Sequence, residues 1–253
     1  GEIVNFTQKF PEGIRRMIIL GDPSKGMGSL GEAECRRILG ALDRAAQERI
    51  PVEWFAVSSG ARVSMESGTE NLDWTARVLR RIIELSRAGH EINIIVCGIN
   101  VGAQSYWNAE PTMLMEGRGM LIMVGDIAMV LTAKRALDYS GGVSAENETG
   151  IGGYDRIMGP NGEAQHWAPS IEAACRLLFR HYDFCYAVPA EGRARRRTSG
   201  DPADRDICLS PHRLIEGSGF TKVGEIFDDR TNADRKKAFD IRSVMRAVAD
   251  MDD

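Results

Sequence analysis

The 253-residue chain is 43% apolar and 27% charged, the balance of an ordinary globular protein with ample material for one large domain or two small ones. A formal net charge of −4 and an isoelectric point near 5.7 argue against general attraction to nucleic acid or an anionic membrane. No apolar run approaches the ~18–20 residues that span a bilayer, and no signal-peptide pattern opens the chain. Five cysteines (35, 97, 175, 185 and 208) show no CxxC spacing and no histidine at metal-ligand distance, which reads as free thiols in a reducing cytoplasm. The start at Gly1 and the end at Asp253, just after a helical pattern, read as a segment cut from a longer protein.

In chain order, Ile3–Phe6 and Met17–Leu20 read as strands, the second ending in the turn Gly21-Asp22-Pro23. A glycine-rich loop at 26–31 leads into a helix over Glu32–Arg49, where Ile38, Leu39, Leu42, Ala45 and Ala46 recur at helical spacing. Val52–Val57 reads as a buried strand, with Ser58-Ser59-Gly60-Ala61-Arg62 as the loop after it. A second amphipathic helix covers Asp73–Ala88, and Ile92–Val96 is the next strand. The turn Gly98–Ala103 follows, and Ser105–Glu116 can continue as helix. Short strands fall at Leu121–Val124 and Met129–Leu131, a long glycine-rich loop at 138–165, and a helix at Ser170–Tyr186. Residues 190–212 read as a linker, and Ile241–Val248 as an amphipathic run. Alternating strands and helices imply an α/β fold with parallel pairing, which places ligands at the carboxyl ends of strands.

The residues that could carry chemistry narrow quickly. Ser58, Ser59 and Ser105 lack a GxSxG elbow, and nothing pairs them with His90, His166, His181 or His212. The GxGxxG at 26–31 lacks the acidic residue of a dinucleotide fingerprint and reads as a strand-to-helix turn. Glu66, Glu70 and Asp73 suit a solvated helix N-terminus better than a metal. The basic run Arg193–Arg197 has no interleaved aromatic residue and reads as solvated linker, with phosphate contact the alternative. What remains is main-chain stabilisation of a carbonyl oxygen, because Gly60-Ala61 and Gly102-Ala103 are small-residue turns whose N–H groups a ligand can approach.

At these turns the chain resembles the carboxyltransferase component of biotin-dependent acyl-CoA carboxylases, in the crotonase superfamily. Ser58–Arg62 matches the family's SxGAR loop, and Gly98–Ala103 its GxxxGG/A turn. Similar stretches follow in order: Leu131-Thr132, Gly141-Gly142-Val143, Gly152-Gly153-Tyr154, Ala164-Gln165-His166, Val223–Phe227 and Arg235–Arg242.

The resemblance implies an α/β, crotonase-like ββα spiral: an acyl-CoA-binding N-half over residues 1–212, then a linker and the start of a C-half over 213–253. It implies that Gly102 and Ala103 hold the charge of a thioester enolate, with Gly60, Ala61, Arg62, Gly98, Gly152 and Gly153 contacting substrate. It further implies a coenzyme A thioester as substrate, biotin as carboxybiotin on a carrier domain, and a second carboxyltransferase half. The active site would be shared between subunits of a homo-oligomer in the cytoplasm, with no nucleic acid, membrane or metal involved. An acyl-CoA decarboxylase subunit of the malonyl or methylmalonyl type and a non-catalytic CoA-binding scaffold stay open as alternatives. Trp107 stands where acetyl-CoA enzymes of the family carry an arginine, so it reads either as an acyl-group contact or as core.

Overall fold

The structure is a computed structural model that describes residues 1–113, 117–141, 145–195 and 199–250. The described residues divide into two compact units, 1–195 and 196–253. Among them no helix is long and apolar enough to cross a membrane.

The first unit is built on a mixed sheet. Strands β1 (Glu2–Asn5) and β2 (Ile14–Leu20) pair antiparallel. Helix α1 (Glu32–Glu48), strand β3 (Val52–Ser58), helix α2 (Glu70–Arg87) and strand β4 (Ile92–Val101) follow. Next come helix α3 (Ala103–Ala109), strands β5 (Leu121–Val124) and β6 (Met129–Val130), and helices α4 (Lys134–Tyr139) and α5 (Thr149–Gly152). Strand β7 (His166–Ala168) and helix α6 (Ile171–Cys185) complete it. The sheet runs β1-β2-β3-β4-β5-β7, with β6 paired to the end of β4, and every pairing after the first is parallel.

Strand alternation in β4 explains how the sheet is covered on both faces. Ile92, Ile94 and Val96 point into a core shared with Leu42 of α1 and Val78 and Ile82 of α2, while Ile95 points into a second core with Leu178 and Tyr182 of α6. A strand buried on both faces carries a continuous apolar run, as Ile92–Val96 does. One buried charge pair crosses the sheet edge. Arg16 of β2 meets Glu53 of β3 at 2.5 Å, donates to the Ile14 carbonyl and the Asn5 side chain, and stacks on Phe179 of α6. That pairing lets β2 begin at Ile14 rather than at Met17, where the apolar run starts.

Other elements also depart from expectation. β4 extends five residues past Val96, so Gly98 lies inside the strand and not in the turn. A Cβ on Gly98 would sit 2.9 Å from the Val57 side chain, so glycine is required there by close strand packing. The helix expected over Ser105–Glu116 starts earlier and stops at Ala109, giving way to a 3-10 turn through Pro111; residues 114–116 lie outside the described set. The glycine-rich stretch 138–165 is not all loop. It carries α5 and a π-turn at Tyr154–Met158. Trp107 is core: 1% exposed, it tilts against Trp54 at 5.5 Å between ring centroids and donates its indole N–H to the Thr75 carbonyl of α2.

The second unit has its own small core of Phe220, Val223, Ile226 and Ala247, the last on helix α7 (Ile241–Val248), capped by the Asp240 carboxylate. His212 is buried within it. Its Nε2 accepts from the Asp240 N–H at 2.8 Å, so Nδ1 carries the proton that meets the Phe220 carbonyl. Because Pro211 bridges Lys222 and His212 is part of this core, the 212/213 boundary expected from sequence falls inside the second unit.

Replacing Trp107 by alanine removes the largest side chain between α2 and β3. Trp107→Ala is expected to destabilise the first unit by about 3–5 kcal/mol in urea titration followed by circular dichroism; a loss under about 1 kcal/mol would show that the site is not core.

Candidate functional site

Strands β3 and β4 stay in register to Ala56↔Val96 and then slip, so that Ser58 pairs with Asn100. Beyond that pair each strand turns on a glycine in the left-handed region, Gly60 at φ +95° and Gly102 at φ +65°. The two turns touch. A Cβ on Gly60 would lie 3.1 Å from the Val101 carbonyl oxygen, and one on Gly102 would lie 3.7 Å from the Gly60 Cα. Side chains at either position would therefore wedge the turns apart or strain the backbone.

Hydrogen bonds fix which amides are left over. The Gly60 N–H donates to Ser58 Oγ, and the Gly60 carbonyl accepts from Leu30. The Arg62 N–H returns to the Leu30 carbonyl, making a short parallel bridge between Leu30 and Ala61. The Gly102 N–H donates to the Val130 carbonyl of β6 at 3.0 Å. Among the described residues, the Ala61 and Ala103 N–H groups donate to nothing. Ala103 is the first residue of α3, so no helical carbonyl lies four residues behind it. This corrects one expectation: Gly102 shapes the turn and its own N–H is committed, while Ala103 offers a donor.

Below the turns lies a buried amide network. Asn100 Nδ2 donates to the Ala56 and Gly98 carbonyls at 2.8 and 2.9 Å, the groups orphaned by the register slip. Asn108 donates to Asn100 Oδ1, and Gln104 to Asn108 Oδ1. Ser105 Oγ donates to the same Val130 carbonyl that holds Gly102. Asn100 and Asn108 were not singled out in the sequence, although amides at 100, 104 and 108 share a four-residue spacing.

The other expected contacts sit at different depths. Arg62 lies beside a cavity of about 630 Å3 that is also lined by Lys25, Leu30, Arg37, Trp54 and Gln104, and its guanidinium reaches Glu34 and Ser29. Gly152 and Gly153 pack on backbone: a Cβ on Gly152 would meet the Met129 carbonyl of β6 at 2.0 Å, and one on Gly153 the Thr149 carbonyl at 2.5 Å. The Gly152 contact holds α5 against β6, which in turn holds Gly102. Gly142 and Val143 lie outside the described residues.

Side-chain nucleophiles are engaged structurally. Ser58 caps Gly60, Ser59 reaches the Gly26 carbonyl, and Ser105 serves Val130; among the described residues none of them has a histidine partner. Burial pushes the Cys97 thiol of β4 up to about 11, which keeps it protonated at neutral pH. The Glu70 carboxylate accepts from the Gly68 N–H and Asp73 pairs with Arg77, as expected of a helix N-terminus. Arg193 is exposed and Arg195 is half-buried, where it pairs with Glu12 and Glu191 and donates to the Lys9 carbonyl, while Arg196 and Arg197 lie outside the described residues.

The mixed sheet, parallel beyond β1 and covered by helices on both faces, has the crotonase-like α/β fold of the solved carboxyltransferases that it resembles. Within that class, the chain belongs to the carboxyl transferase domain family, whose model matches residues 11–253. It is 24% identical over 225 residues, 88% of its own length, to a Bacillus subtilis protein named as a propionyl-CoA carboxylase beta chain, and spans 38% of that relative. Among solved structures it is similar to transcarboxylase 12S with methylmalonyl-coenzyme A and methylmalonic acid bound, at TM-score 0.68 and 18% identity over 85% of this chain and 40% of that one. It is also similar to the geranyl-CoA carboxylase beta subunit of P. aeruginosa, at TM-score 0.56 and 16% identity over 71% of this chain and 32% of that one. The chain thus spans about two fifths of these relatives or less.

Two outcomes check this geometry. Asn100→Leu strands the Ala56 and Gly98 carbonyls and is expected to cost about 2–4 kcal/mol in chemical denaturation, where an effect below about 0.5 kcal/mol would dismiss the network. In alkylation followed by mass spectrometry at mildly alkaline pH, exposed Cys208 is expected to react first, with Cys35 and Cys97 protected because burial pushes both thiols up to about 11. Early labelling of Cys97 would contradict the packing of β4.

Proposed function

We propose that this chain supplies the acyl-CoA-binding half of a biotin-dependent carboxyltransferase, with Ala61 and Ala103 as the enolate-stabilising donors. The observation that carries the reading is the contact of the Gly60 and Gly102 turns, each followed by an alanine whose N–H is uncommitted among the described residues. Two preorganised donors act on a thioester oxygen as it gains negative charge, and each is worth a few kcal/mol where water is excluded. The amino end of α3 adds a modest favourable field.

The donor set also fits a reaction whose acid–base group arrives from outside. Neither turn presents a carboxylate, imidazole or thiol of its own. Carboxybiotin docked on its carrier would supply the carboxyl group and a basic ureido nitrogen, while this chain's part would be to hold the acyl-CoA. The residues of this chain hold the thioester: Ala61 and Ala103 at its oxygen, and the cavity with Lys25, Arg37 and Arg62 for the anionic nucleotide end of coenzyme A. Gly60, Gly98, Gly102, Gly152 and Gly153 act by letting backbone pack closely. The carrier domain, the second half and a homo-oligomer that joins them belong to the same proposal. It is supported by family membership and by the hexamer named for transcarboxylase 12S.

Titration calorimetry with an acyl-CoA and with its thioether analogue, which lacks the carbonyl, separates recognition of the reacting group from recognition of the nucleotide. The thioester is expected to bind at least several-fold tighter, and Arg62→Glu to weaken both ligands about tenfold. Transfer from free carboxybiotin is expected only when a complementary half is supplied. Absence of coenzyme A binding would overturn the reading, and full-rate carboxylation by this chain alone would overturn the shared site.

A further inference from the structure

At the opposite end of β4 from the glycine turns, three side chains of different chemistry converge. Glu91 immediately precedes β4, and His181 and Cys185 lie one turn apart near the end of α6. His181 Nε2 is 3.0 Å from Glu91 Oε1 and 3.0 Å from Cys185 Sγ, and the three ligand atoms all lie within 4.8 Å of one another. A histidine and a cysteine four residues apart on one helix face form a chelating pair.

Protons are too few for these contacts. If the ring N–H donates to Glu91, Nε2 has no lone pair for the thiol, whose hydrogen then goes to the His181 carbonyl 3.0 Å away. The close Nε2–Sγ approach is left without a hydrogen of its own. A divalent cation satisfies all three atoms at once. Tetrahedral zinc, with bonds of about 2.0–2.3 Å, needs ligand atoms roughly 3.3–3.7 Å apart, so the two 3.0 Å contacts of His181 Nε2 need only open slightly.

The surroundings match a built site. Asn93 donates to Glu91 Oε1 at 2.7 Å and to Tyr182 Oη, and its own oxygen accepts from the Met120 N–H. This buried amide fixes the carboxylate as outer-sphere groups do around metals. The His181 and Glu91 side chains remain 23% and 16% exposed, which leaves an entry path.

We propose that Glu91, His181 and Cys185 form a three-ligand site for a zinc-class divalent cation, with water in the fourth position. The mixed N, S and O donor set favours zinc over magnesium or calcium, which take oxygen ligands. The ten residues of β4, at about 3.3 Å each, separate it from Gly102 by roughly 30 Å, so its role is to tie α6 to the sheet.

The test uses the purified chain stripped with a chelator, then titrated with Co2+ alone and with Zn2+ alone. Co2+ is expected to give a thiolate-to-metal band in the near ultraviolet that is lost in Cys185→Ser, and Zn2+ to displace it with one equivalent. His181→Gln is expected to weaken Zn2+ binding at least tenfold, while acyl-CoA affinity stays unchanged in all variants. Zn2+ is also expected to slow alkylation of Cys185 in the wild-type chain while leaving Cys208 unaffected, a readout that needs no variant to fold. A cobalt spectrum without a thiolate band, Zn2+ stoichiometry equal in wild type and both variants, or Cys185 alkylation indifferent to Zn2+ would each overturn the site.

Discussion

The register slip between β3 and β4 is the constraint on which the candidate site depends. From Ala56↔Val96 to Ser58↔Asn100, β3 advances two residues while β4 advances four. Two extra residues in a parallel pair would leave carbonyls buried without donors, and such groups cost about 1–3 kcal/mol each. The Asn100 side chain takes two of them, and Asn108 and Gln104 complete the amide chain beneath. With the slip stabilised, both strands reach their glycines at the same level, and the turns can meet.

A second constraint acts from the side. β6 is only two residues long, yet Val130 accepts from both Gly102 N–H and Ser105 Oγ, and Gly152 packs against Met129 where any side chain would collide with backbone. The turn is thus clamped between β3 and a short strand that is itself held by α5. Backbone amides set on such a frame need little reorganisation when charge develops near them, which is what gives preorganised donors their effect.

Much of this was legible in the sequence, and the failures have physical causes. Short continuous apolar runs marked the buried strands and helical periodicity marked α1 and α2, because the pattern of apolar residues follows how an element is buried. Arg15 and Arg16 concealed the start of β2, since a charge can be buried when a partner such as Glu53 lies 37 residues away and out of sight of any local pattern. Gly98 looked like turn punctuation, but its job is to let Val57 pass close by. The assignment of donors slipped from Gly102 toward Ala103 because a sequence names residues and a hydrogen-bond ladder decides amides. Trp107 was ambiguous until its indole N–H found Thr75. Glu91 and His181, 90 positions apart, become neighbours only through the packing of α6 on the sheet.

The bridge between Leu30 and Ala61 joins two regions that would otherwise be independent. Leu30 lines the cavity, and its N–H and carbonyl are bonded on either side of Ala61, one to Gly60 and one to Arg62. The wall that would feel the distant end of a long ligand and the amide that would feel its reacting end therefore belong to one piece of backbone. In such an arrangement a non-reacting handle contributes to rate as well as to affinity, because its binding energy is available to align the carbonyl.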